Sequence, residues 1–87
     1  MKSFDEATIQ RLAERIGLEY ERLYDARTPV PGYTDAIARG DAFMSRNPAV
    51  MHRLTEIRED CLTSDREVAA LGFALETLKE GGNEIAV

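Results

Sequence analysis

A chain of 87 residues with 44% apolar side chains, no tryptophan and three each of phenylalanine and tyrosine supports one domain around one thin core, and excludes both a second core and a disordered chain. The net charge of −5 is uneven: residues 1–53 carry eight basic and eight acidic groups, whereas residues 54–87 carry three and eight. Such a field disfavours nucleic acid and anionic membrane surfaces and favours a basic partner.

In chain order, Ser3 and Glu6 stand in capping-box register for a first helix. Its apolar stripe is Ile9, Leu12, Ile16, Tyr20 and Leu23, at steps of three and four, ending near Asp25. Thr28-Pro29-Val30-Pro31-Gly32 must stop it, because two prolines push the residues before them to extended geometry and Gly32 permits a positive φ. Thr34 then caps a short second helix bearing Ile37, Ala38, Phe43 and Met44, weakened by Gly40. Asn47-Pro48 opens a third, striped by Val50, Leu54, Ile57 and Cys61. Ser64 and Glu67 form a second capping box for a fourth, striped by Val68, Leu71, Leu75 and Leu78 and ended by Gly81-Gly82.

No strand pattern interrupts this series, so the expected fold is all-α, a bundle of about four helices. Short loops favour antiparallel neighbours, so the third and fourth helices are expected to form a C-terminal hairpin against which the long first helix packs. Residues 1–82 make one helical domain on this view, and 83–87 a frayed tail.

Residues 9–27 also fit a helix-turn-helix. Ala13 and Gly17 are four apart, and Leu12, Ile16, Leu18, Leu23 and Ala26 occupy positions that motif buries. A DNA-binding regulator would then contact phosphates through Arg22 and Arg27. Glu19, Glu21 and Asp25 oppose this, since a recognition helix lies between two rows of phosphates. The absence of a capping residue after Gly17 favours one continuous helix instead.

No catalytic set is present. His52, Glu56 and Asp60 align at steps of four, yet the chain has one histidine, so the row reads as a polar helix face and no metal or cofactor is expected. Cys61 lies on an apolar stripe, nine residues from His52, too far along one helix for a nucleophile and its base. A single cysteine excludes an internal disulfide, no signal peptide is recognisable, and no apolar run approaches the ~20 residues of a membrane span. A cytoplasmic, non-enzymatic protein is expected.

Two surfaces are candidates for binding. Glu56, Glu59, Asp60, Asp65 and Glu67 form an acidic run across the third and fourth helices. By analogy with phage-type inhibitors, such carboxylates imitate a phosphate row for a nucleic-acid-processing enzyme with a basic groove. The fourth helix is also apolar on a second side, through Ala69, Ala70 and Phe73, with Phe73 about 150° from the stripe's centre at ~100° per residue. A helix apolar on two faces is either central in its bundle or touches a partner. The expectation here is a partner-binding patch, including a homodimer contact.

Overall fold

The computed structural model describes residues 4–59 and 63–80. Ser3, Asp60, Cys61, Gly81-Gly82 and the tail 83–87 lie outside the described residues. Four helices are present: α1 (Glu6–Asp25), α2 (Tyr33–Arg46), α3 (Pro48–Arg58) and α4 (Asp65–Glu80). The all-α bundle is therefore observed. Among the described residues, no helix is long and apolar enough to cross a membrane.

α1 begins at Asp5, whose carboxylate accepts from the Thr8 amide at 2.7 Å and so satisfies one orphan donor of the first turn. Glu6, expected in the capping box, instead accepts from Arg53 of α3 at 2.6 Å. Hydrogen bonding from Thr8 holds the Asp5 carboxyl below the usual carboxylate range. α1 then runs unbroken through Gly17, burying Ile9, Leu12, Ala13, Ile16, Glu19 and Leu23. The turn of a helix-turn-helix is not formed. Leu18 is 58% exposed because, at 100° per residue, a continuous helix sets it opposite that stripe. Ala26, the other position that motif would bury, is exposed as well.

A β-carbon at Gly17 would meet the Arg58 Nη1 atom at 3.7 Å, an ordinary contact. Gly17→Ala is therefore expected to stabilise the protein by about 0.5–1 kcal/mol, since a helix interior prefers alanine. A lower urea midpoint for the variant would show that residue 17 does not sit in a regular helix.

α2 begins one residue before the expected cap. Gly32 takes a left-handed conformation (φ 81°) as N-cap, its carbonyl accepts from the Ala36 amide at 2.9 Å, and Thr34 falls inside the first turn. Asn47 separates α2 from α3 and Pro48 opens α3, as the Asn-Pro pair predicts. The Asn47 side chain faces backward, however, donating to the Phe43 carbonyl at 3.1 Å and so closing α2. At α4, Ser64 Oγ accepts from the Glu67 amide at 3.2 Å, the first half of the expected capping box.

The packing order differs from the expected hairpin. α4 is central: it packs along both α2 and α1, while α3 packs on α1 and touches α2. Among the described residues α3 and α4 do not lie side by side, nor do α1 and α2. The cause is close antiparallel contact between α2 and α4, at Ala36 opposite Gly72 and Gly40 opposite Val68. A β-carbon at 72 would run into the Ala36 carbonyl, and one at 40 into the Val68 carbonyl. Gly40 thus admits a neighbouring backbone rather than merely weakening its helix. Arg39 spans the same contact, 3.3 Å from Glu76 and donating to the Gly72 carbonyl at 3.4 Å.

Because α4 has helices on two sides, its second apolar face is inside. Ala69 and Ala70 are fully buried with Leu71, Ala74 and Leu75. Phe73 is half-buried under the proline loop, 3.8 Å from the β-position of Gly32, with the Arg22 guanidinium 5.0 Å from its ring centre. Ala69, Ala70 and Phe73 are not the exposed patch expected of them. In a bundle of four helices, the one apolar all round is the one enclosed. Phe43, fully buried and met edge-on by Phe4 at 5.6 Å, fills the other end of the core.

Candidate functional site

The acidic run is rearranged by folding. Glu67 pairs with Arg58 at 2.9 Å, both side chains nearly enclosed (14% and 12% exposed), so this carboxylate ties the start of α4 to the end of α3. The pair suits both helix ends, a carboxylate near an N-terminus and a guanidinium near a C-terminus. Glu56 receives Arg53 at 3.2 Å and lies 3.6 Å from His52 Nε2. Glu59 and Asp65 are exposed. Glu59 is a left-handed C-cap (φ 58°) whose amide donates to the Thr55 carbonyl at 2.8 Å. Of the five residues expected to present one acidic face, Glu67 is nearly enclosed with its arginine, Glu56 is exposed but paired with one, Glu59 and Asp65 are exposed and unpaired, and Asp60 is not among the described residues.

A similar neutralisation occurs within α1, between residues three and four apart. Glu19, 5% exposed, is held by Arg15 and Arg22, each 2.8 Å away. Its charge is buried on the inner face of α1, not turned outward as a recognition helix would require. Arg22 is committed to Glu19 and Phe73, while Arg27 is exposed. Among the described residues, Asp5, Glu14, Glu21, Asp25, Asp35, Asp41, Glu59 and Asp65 have no ion pair, Asp5 being engaged by the Thr8 amide. Among the described residues, six of these eight lie before residue 54 and two after it.

Two of those carboxylates share a surface with two aromatic rings. Tyr20 and Tyr24, one turn apart on α1, have ring centres 6.2 Å apart at an interplanar angle of 36°. Together with Glu21 and Asp25 they line a shallow hollow of about 410 Å³. Tyr24 is 64% exposed, and the Arg66 guanidinium of α4 lies 5.0 Å over its ring. Tyr20 reads in the sequence as part of the core stripe, yet it sits only on the stripe's edge and is half-buried. The signal for this site was the repeated pair Tyr20-Glu21 and Tyr24-Asp25 at a spacing of four, which sets rings and carboxylates in adjacent rows.

Beside this surface, a larger open cleft of about 570 Å³ lies under the proline loop, lined in part by Leu23, Ala26, Val30, Tyr33, Asp35 and Arg66. His52, the one histidine, lines neither hollow; its side chain is 79% exposed. No known protein family, curated protein or solved structure matches this chain.

Proposed function

We propose that this chain is a small acidic protein-binding module, acting without catalysis on a larger partner that carries a basic surface. The observation that carries this reading is the asymmetry of unpaired charge. Most described arginines are tied to carboxylates or aromatic rings within the fold, while eight carboxylates carry no ion pair among the described residues. What a partner meets is therefore mainly negative, and charge of one sign steers association with its complement. The exposed position of His52, away from both hollows, also favours binding over acid–base chemistry. A reducing, cytoplasmic compartment fits a chain with a single cysteine.

The reading rests on the unpaired carboxylates and not on a phosphate-like row across α3 and α4, because Glu56 and Glu67 are already held by arginines. It is tested by titrating the protein at low salt with a short DNA duplex and, separately, with an arginine- and lysine-bearing peptide. The duplex is expected to show no affinity, and the peptide an affinity that falls as salt rises. Measurable duplex binding, or indifference to the peptide, would overturn it.

A further inference from the structure

We propose that the hollow formed by Tyr20, Glu21, Tyr24 and Asp25 is the docking point for arginine side chains of the basic partner, a claim that rests on the function proposed above and adds where and by which chemistry it binds. Three features define the occupant. First, Glu21 and Asp25 are exposed and carry no ion pair, so the hollow attracts a cation. Second, Tyr20 and Tyr24 line the hollow with those carboxylates, and aromatic faces attract cations, planar guanidinium groups most readily because they also stack. Third, the hollow lies at the C-terminal end of α1, where the last carbonyls lack helical partners and the helix dipole is negative.

The fold supplies its own precedent in Arg66. Its guanidinium stacks over Tyr24 at 5.0 Å and makes no ion pair among the described residues. This ring therefore already takes a guanidinium, and the stack holds its plane beside the hollow. An arginine arriving on the side of Glu21 and Asp25 gains the carboxylate contact that Arg66 lacks. A guanidinium can make two parallel hydrogen bonds to one carboxylate while stacking on a ring; an ammonium cannot do both. The site should accordingly prefer arginine to lysine at equal charge.

The test uses the full chain and two capped peptides, one alternating glycine with arginine and one alternating glycine with lysine. Binding is read from tyrosine fluorescence and by calorimetry. The arginine peptide is expected to bind about fivefold to tenfold more tightly than the lysine peptide. Tyr24→Leu, which leaves net charge unchanged, should lose most of that preference, and Glu21→Gln with Asp25→Asn should weaken both peptides. Removing two charges elsewhere, by Glu14→Gln with Asp41→Asn, should leave the preference intact. Circular dichroism establishes that each variant is folded, and Tyr24 is exposed enough for its replacement to be tolerated. Equal binding of the two peptides, or an unchanged preference in Tyr24→Leu, would reduce the interaction to diffuse attraction and overturn the site while leaving the proposed function standing. If the parent binds neither peptide, both fall.

Discussion

Gly72→Ala is expected to unfold the protein or bring it close to unfolding. Helix propensity by itself favours alanine over glycine by about 1 kcal/mol. At this position a β-carbon would collide with the Ala36 carbonyl oxygen and lie 2.6 Å from the carbonyl carbon, and both atoms are backbone, unable to rotate aside. α2 would have to withdraw along the contact shared by Gly40 and Val68. Overpacking of a well-filled interior costs roughly 1–3 kcal/mol, and a clash with main chain belongs at or above the upper end. The steric term outweighs the propensity term in a domain whose total stability is on the order of 5 kcal/mol. Urea denaturation of Gly72→Ala beside Gly17→Ala gives the comparison: the same substitution in two helices should move the midpoint in opposite directions. A Gly72→Ala protein as stable as the parent would mean that α2 and α4 do not meet at Ala36.

Ala70→Asp is expected to abolish cooperative folding. Ala70 is fully buried where α4 is enclosed by its neighbours, so the new carboxylate would lose its hydration. An unpaired buried charge costs several kcal/mol, comparable with everything that holds so small a domain together. Had Ala69, Ala70 and Phe73 formed an external patch, this variant would fold and lose only association. Thermal melting followed by circular dichroism, with sedimentation on the same sample, separates these outcomes. A folded Ala70→Asp monomer would contradict the central position of α4.

The helices themselves could be read from residue spacing because their causes are local. The stripe from Ile9 to Leu23, the proline loop, Asn47-Pro48 and the Ser64 cap all act within a turn or two of where they stand. Which helix lies beside which could not be read that way. The expected hairpin of α3 and α4 followed from loop length, whereas the observed order follows from pairs such as Ala36 with Gly72, distant in sequence and decided by shape. Gly40 read only as a weak point of its helix, because what it admits, the Val68 backbone, lies on another helix. The candidate surface shows the same division. The Arg53–Glu56 pair, three residues apart on one helix, is of the local kind, whereas Arg58 reaches Glu67 across two helices. Tyr24 gains Arg66 from another helix altogether. Pairs such as Arg53 with Glu6, Arg39 with Glu76 and Arg58 with Glu67 join different helices, and spacing along the chain does not reveal them.

The central position of α4 also bears on the order in which the protein comes into being. α4 leaves the ribosome after the other three described helices, and it is the one on which α1 and α2 both pack. Until it emerges, the faces of α1 and α2 that pack on it stay open. At ~5–20 residues per second, synthesis of α4 takes on the order of one to three seconds, during which the earlier helices are present without a completed interior. Folding of this bundle therefore waits for α4, and a chain interrupted before Asp65 would display the apolar faces of its first three helices to the chaperones and proteases that recognise them.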